Sequence, residues 1–515
     1  MIPEGIREFV FYFLAAIAVL VTVLLGLALI TALITYLIDI TQTKHAIRRN
    51  YPVIGRFRYM FEHLGEFFRQ YFFAMDREEM PFNRAQRAWC YRSAKGLDNT
   101  VAFGSTRDLK PPGTVMFVSC PYPTLGEDAA PPRQVTIGPY ASKPYVTDSV
   151  FNISGMSFSA ISKPAIRALS NGARMAGCWL NTGEGGLSPY HLDGGCDIVF
   201  QIGTAKNGVR DLDGNLDEDK LRSIAAHEQV RMIELKLSQG AKPGKGGMLP
   251  GAKVDEKIAR IRGLRVGQDA ISPNRHIDIN NNAQLLDMLE RLRRVSGKPV
   301  GFKTVLGAAG WLDELFAEIH RRGVESAPDF ITVDGAEGGT GAAPMPLIDS
   351  VGLPLREALP MLVDKVVEYG LRDRIRIVAS GKLVTPSEVA AAICVGADFV
   401  VSARGFMFAL GCIQALQCNK NTCPTGITTH DERLQRGLVP EDKATRVAQY
   451  HAGMMKEVGM IAHSCGARSA QGMRRVHARV VMNDGRSRPL NELYPEPAPM
   501  VLERTRTSPG AQVSP

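Results

Sequence analysis

From residue 150 to about 463, short runs of β-branched residues alternate with helix-length segments, and this alternation restricts the fold more than any other feature of the chain. The runs 299–305, 329–334, 374–379 and 398–402 are too short for helices and are rich in valine and isoleucine. Continuous apolar runs of that kind read as strands buried on both faces of a parallel sheet. Segments such as Pro386–Val395 supply the helical crossovers between them. Repeated strand-then-helix units either close into a barrel or open into a doubly wound sheet. The chemistry at the strand ends has to choose between the two.

Across 515 residues there is room for one such domain with attachments, since a barrel alone takes about 250 residues. Hydrophobic residues at 45% and charged residues at 22% are ordinary for a chain with a substantial core. The formal charge of +9 is not a nucleic-acid signature, because the basic excess gathers just after a long apolar segment and in the C-terminal tail. That segment, residues 9–40, carries no charge before Asp39. As a helix it would run roughly 48 Å against a hydrocarbon core of about 30 Å, so it is expected to cross a membrane with tilt or extension. A cleaved signal peptide is disfavoured, because its apolar region is shorter and ends at small residues. Lys44, Arg48, Arg49, Arg56 and Arg58 follow without an intervening acid. Positive-inside bias then gives a single-pass inner-membrane protein with its catalytic portion in the cytoplasm. A periplasmic domain with disulfides is the competing arrangement, weakened by that asymmetry and by an odd count of nine cysteines.

Four divisions are expected: a transmembrane anchor over 1–40, a juxtamembrane collar and connecting segment over 41–148, a catalytic barrel over 149–480, and a tail over 481–515, disordered from about 495. The collar is rich in arginine and aromatics, which suits contact with the bilayer surface and packing on the catalytic domain equally. Its proline-rich part, 111–144, reads as connecting loops without regular elements.

Three cysteines crowd into one loop as Cys412, Cys418 and Cys423, a C-x5-C-x4-C-P spacing with polar residues between the last two. Buried cysteines are often simply small hydrophobes, but a polar loop in a reducing compartment suits an iron-sulfur cluster. Three local ligands point to a three-iron cluster; a four-iron one would need Cys394 or Cys465 to arrive by tertiary contact. Two consecutive strands end in Ser380-Gly381-Lys382 and Ala403-Arg404-Gly405, where barrels of this type bind phosphate through backbone N–H groups. The glycine-dense stretch 337–344 lacks the Gly-Lys-Ser/Thr ending of a triphosphate-binding loop. A mononucleotide phosphate beside an iron-sulfur cluster suggests FMN. Lys303 at a strand end would stabilise negative charge on a reduced flavin or a substrate carboxylate. Glu234 and Lys236 share one side of a strand and read either as site residues or as a buried ion pair.

Together, the stretch 154–162, Asn181-Thr-Gly-Glu-Gly-Gly186, Gln239-Gly-Ala-Lys-Pro-Gly244, Leu249-Pro-Gly251, Glu337-Gly-Gly-Thr-Gly341 and the cysteine loop resemble the FMN-binding synthase domain of glutamate synthases, from about residue 152 to 429. The resemblance implies a (β/α)8 TIM barrel with FMN and a three-iron four-sulfur (3Fe-4S) cluster, in which reduced flavin reduces 2-iminoglutarate formed from 2-oxoglutarate and ammonia. Carried over by motif, Cys412, Cys418 and Cys423 would ligate the cluster, and Ser380, Gly381, Lys382, Ala403, Arg404 and Gly405 would hold the FMN phosphate. Lys303 and Glu234 would lie at the flavin and substrate, Met156 and Ser157 would line the same pocket, and Gln201 would contact the flavin. The family's usual glycine in Met-Ser-Tyr-Gly-Ser is Ser159 here, and residues 304–310 also depart from the usual pattern; both bear on the substrate's carboxylate contacts. The family's N-terminal glutaminase and C-terminal glycine-rich repeats are not recognised in the sequence. Ammonia is therefore expected from solution or a separate subunit, and electrons from ferredoxin, a reductase subunit or a membrane donor; homo-oligomerisation is left open. Two rival readings remain: a synthase-like oxidoreductase using another acceptor or amine, such as one forming N-methylglutamate, and a membrane-bound electron-transfer subunit.

Overall fold

The computed structural model describes residues 3–249, 251 and 254–500. Contacts divide the chain into two compact units, one ending at Ala85 and the other starting at Gln86. The first opens with one 38-residue helix, Glu4–Thr41, long and apolar enough to cross a membrane. Asp39 is the only one of its residues that is buried. Its carboxylate accepts a fork of hydrogen bonds from Arg56 at 2.8–3.0 Å and one from the Val53 N–H at 3.0 Å. The chain after the helix thus folds back on its last turn, and Arg56, one of the cations read as flanking the span, is neutralised. Further on, the aromatic rings of Phe57, Phe61, Tyr71, Phe72 and Phe73 remain exposed.

The second unit is built on eight strands: β1 (Phe151–Ile153), β2 (Leu180–Asn181), β3 (Ile198–Ile202), β4 (Val230–Lys236), β5 (Val300–Thr304), β6 (Phe330–Asp334), β7 (Arg376–Ser380) and β8 (Phe399–Ser402). Each is parallel to the next, and β8 returns to β1 with Val401 opposite Asn152, closing a TIM barrel rather than an open sheet. The valine-rich runs lie where the sequence placed them. The intervening helix Pro386–Val395 starts on a capping box, with Thr385 and Glu388 exchanging side-chain and backbone hydrogen bonds.

The proline-rich stretch 111–144 departs from expectation, because it carries regular elements. Val135–Ile137 and Tyr145–Thr147 form an antiparallel hairpin, and Val115–Phe117 joins Ala478–Val481 and Ser487–Pro489 in a small sheet. Strands of three residues are too brief to show an alternating pattern among prolines. The hairpin has a structural task. Val135, Ile137 and Tyr145 bury against Trp179, Val199, Met232, Phe330, Val378, Phe399 and Val401, and Tyr145 donates to Asp197 just before β3 at 3.0 Å. This plug fills the end of the barrel where the strands begin, leaving the opposite mouth for chemistry. The end of the tail, 501–515, lies outside the described residues.

Ile137 is fully buried in that plug, and deleting its side chain leaves a cavity the surrounding strands cannot collapse. Ile137→Ala should cost about 2–5 kcal/mol of unfolding free energy, measured by urea denaturation. A loss under about 0.5 kcal/mol would show that the hairpin does not close the barrel.

Candidate active site

Above the apolar plug lies a polar layer centred on Glu234. Its carboxylate accepts from Asn181 Nδ2 at 2.8 Å and Gln201 Nε2 at 2.6 Å on Oε1, and from Thr332 Oγ1 at 2.6 Å on Oε2. Period-two alternation makes this possible: Gln201 pairs in register with Glu234, and Lys303 with Thr332. All of these side chains are buried. Lys303, in the layer towards the mouth, lies 3.4 Å from Asp334, which also accepts from Ser380 Oγ at 2.7 Å and the Gly240 N–H at 2.9 Å. Glu234 and Lys236 share a strand, but Lys236 pairs with Glu184 of the loop after β2, at 3.0 Å.

That second pair belongs to a charged rim. Lys236 also donates to Gln239 at 2.5 Å, while Lys242 and Arg262 act on Glu184 through space. Burial pushes the Glu184 carboxyl up, but Lys236, Lys242 and Arg262 together outweigh it and hold the group below the usual carboxylate range. Burial pulls Lys242 and Arg262 below their ordinary values. Three cations around one carboxylate leave a positive excess suited to an anion. Arg262 donates through Nη2 to Ser159, and its Nε is buried with no hydrogen-bond partner. Ser157 stands close by: a Cβ built on Gly185 would lie 2.7 Å from Ser157 Cβ and 3.3 Å from Arg262 Nη2. The Met156 carbonyl is fixed by His191 Nε2 at 3.2 Å.

The two strand-end loops proposed for phosphate sit side by side, since β7 and β8 are neighbours. Gly381 has φ 141° and packs against Gly335, and Lys382 adopts φ 49°. Arg404 donates to Thr340 O at 2.5 Å and lies against Gly339, so the glycine-dense loop closes over it. Gly405 has a separate structural cause, because a Cβ there would collide with the Tyr450 hydroxyl.

In the cysteine loop, Cys412, Cys418 and Cys423 are close enough for their charges to interact. Burial pushes the Cys412 thiol up to about 11. Burial also opposes ionisation of Cys423, but hydrogen bonds from Thr425 and Thr428 outweigh it and bring that thiol below its usual value. Gln414, Leu416 and Asn421 all take positive φ, at 57°, 55° and 61°. Such strain in non-glycine residues persists only where the surroundings over-determine it. Among the described residues no three ligand-type side chains already converge on one point; the donor set of three thiols in one curled loop nevertheless suits an iron-sulfur cluster by its chemistry.

A family model described as a conserved region in glutamate synthase matches residues 131–468. The chain belongs to the glutamate synthase family. The glutamate synthase large subunit-like protein YerD of Bacillus subtilis is 40% identical over 488 residues, covering 87% of this chain and 92% of the relative. The corresponding large subunit-like protein of Rhizobium meliloti is 30% identical over 396 residues, 73% of this chain and 85% of its own. The archaeal-type glutamate synthase (NADPH) of Thermotoga neapolitana is 34% identical over 321 residues, 62% of this chain, which spans 60% of that enzyme. The protein is accordingly an oxidoreductase of the glutamate synthase-like class.

For this family member the barrel brings Met156, Ser157, Gln201, Glu234, Lys303, Ser380 and Gly381 to one end, and the strand-end cations Lys382 and Arg404 to its edge. Sequence reasoning missed the rim, although Glu184, Gln239 and Lys242 stood inside motifs it had singled out. The available signal was charge: those motifs bring one acid, Glu184, and one lysine, Lys242, into otherwise glycine-rich loops. Arg262 had no such signal, because it arrives from the end of a helix, Glu256–Arg262, after a long excursion.

Buried histidines brace this scaffold. His276 Nε2 bonds the Lys236 carbonyl at 3.0 Å, and burial lowers His191, His276 and His451 to about 4. An unfolded histidine titrates near 6.5, so between about 6.5 and 4 the unfolded chain binds more protons and stability falls as pH drops. The melting temperature should be lower at pH 5.0 than at pH 7.5; an equal or higher value at pH 5.0 would contradict the burial of these rings.

Proposed function

We propose that this enzyme forms L-glutamate by reductive amination of 2-oxoglutarate with ammonia, using FMN and a three-iron four-sulfur cluster. The observation that carries the reading is the rim of Lys236, Lys242 and Arg262 at the barrel mouth where Lys303 also points, since a five-carbon dicarboxylate needs two anchoring cations and a reductant beside its carbonyl carbon. FMN, when bound, supplies the hydride to that carbon. Ser380, Gly381, Lys382, Ala403, Arg404 and Gly405 hold its phosphate in this reading, with backbone groups opened by glycine and two cations. Lys303 stabilises negative charge at the flavin or the substrate. Glu234, with three donors on its carboxylate, would hold Asn181 and Gln201 in place at the flavin and substrate site. Ser157 and Met156 form the pocket wall. Cys412, Cys418 and Cys423 would ligate the cluster, which would supply one-electron transfer between the flavin and a donor such as ferredoxin or a reductase subunit.

The helix Glu4–Thr41 anchors the enzyme to the inner membrane, with the barrel in the cytoplasm. Its length and apolarity support this, as do the cations after it and the exposed aromatics of the following segment. The divisions 1–40, 41–148, 149–480 and 481–515 are retained as functional regions, although residues 86–148 pack with the barrel unit.

Purified holoenzyme supplied with a chemical reductant of the cluster, ammonia and 2-oxoglutarate should produce glutamate, quantified by chromatography. No glutamate with both cofactors present would overturn the reading. Turnover only with methylamine would show a different amine, and cofactor reduction without acceptor-dependent reoxidation would show an electron-transfer subunit. Lys303→Met should lower kcat/KM by about 100-fold or more, the loss typical of a charge-stabilising group, with FMN retained. Cys418→Ala should abolish the iron signal in electron paramagnetic resonance while leaving flavin absorbance intact.

A further inference from the structure

Ser159 holds a backbone conformation that favours glycine, with φ 87°. An L residue adopts that region only under constraint. Two contacts supply the constraint. The Ser159 hydroxyl accepts from Arg262 Nη2, and its carbonyl accepts from His430 Nε2 at 2.9 Å. The backbone N–H of His430 in turn donates to Asn421 Oδ1 at 2.8 Å, and the Asn421 carbonyl accepts from Thr429 Oγ1 at 2.7 Å. Asn421 lies between Cys418 and Cys423 and itself has φ 61°. The ring of Phe158 meets that of His430 edge-on at 6.2 Å. A continuous set of contacts therefore runs from the cysteine loop through one strained serine to the guanidinium at the rim.

The guanidinium is incompletely used. Nη2 is pinned by Ser159 while Nε is buried without a partner, and a buried donor of a charged group is strongly favoured to take an anionic acceptor. Turning the guanidinium would require breaking the Ser159 contact.

We propose that Ser159 is a positioning residue for acceptor binding: it fixes Arg262 so that its Nε edge receives an acceptor carboxylate, and through His430 it ties that edge to the loop carrying Cys412, Cys418 and Cys423. The inference rests on the reading of the rim as a dicarboxylate site. It separates two roles for one residue. The hydroxyl acts on affinity, while the side chain's presence at φ 87° weakens the fold, so removing both should loosen binding without loosening the protein.

The test uses holoenzyme and glutarate, an unreactive dicarboxylate, titrated calorimetrically into wild type, Ser159→Gly, Ser159→Ala and His430→Ala. Loss of one hydrogen bond to a charged group should weaken glutarate binding roughly 10-fold in both serine variants, with a smaller loss in His430→Ala. The melting temperature of Ser159→Gly should equal or exceed that of wild type, because glycine accepts this backbone conformation freely. With 2-oxoglutarate, KM should rise by a similar factor while kcat changes less than about twofold. Unchanged glutarate affinity in Ser159→Gly, or no glutarate binding by wild type, overturns the proposal. Unchanged affinity in His430→Ala overturns the link to the cysteine loop. Should Ser159→Ala fail to fold, Ser159→Gly alone decides the matter. Glutarate binding that depends on Ser159 in an enzyme producing no glutamate would sink the glutamate reading and leave this one standing.

Discussion

A carboxylate buried in the middle of a parallel barrel is an expensive arrangement unless donors surround it, and Glu234 is surrounded by donors from three other strands. Asn181, Gln201 and Thr332 must each point inward at one level for this to happen, so the hydrogen bonds fix the relative height of β2, β3, β4 and β6. A slip of one residue in any of them would turn the donor outward and strand the charge. Everything nearer the mouth inherits that register. Lys303 stands beside Asp334, and Lys236 reaches Glu184, in the levels above it.

The mouth divides into three regions with different chemistry. One side holds glycine-opened loops after β7 and β8 with Lys382 and Arg404, another the cation-rich rim around Glu184, and a third the curled cysteine loop. Lys303 sits between the first two. The glycine-dense loop joins the first to the third, since Arg404 bonds Thr340 and a Cβ on Gly341 would lie 3.9 Å from Cys418 Cβ. Closely packed regions of this kind suit a reaction in which electrons and a small acceptor approach the same group from different sides.

Much of this was legible in the sequence for identifiable reasons. Strands β5 to β8 are continuous valine- and isoleucine-rich runs between helix-length segments, so periodicity and length found them, and glycines follow the ends of β7 and β8. The hairpin of Val135–Ile137 and Tyr145–Thr147 was not legible, because three-residue strands among prolines carry no period and owe their existence to burial in the plug. The rim was only half legible. Lys236 was seen as a neighbour of Glu234 in sequence, while its true partner, Glu184, lies two strands away in the barrel and is met only once the sheet closes. Asp39 likewise read as the end of an apolar run, and only the fold shows it holding Arg56.

The central claim is that the mouth binds a dicarboxylate between the rim cations with its carbonyl near Lys303. The most direct measurement is a crystal structure of the holoenzyme soaked with 2-oxoglutarate. The account predicts one carboxylate within hydrogen-bonding distance of Arg262 and Lys242, and the oxo group on the side of Lys303. An acceptor bound away from Arg262, Lys242 and Lys303 would contradict it.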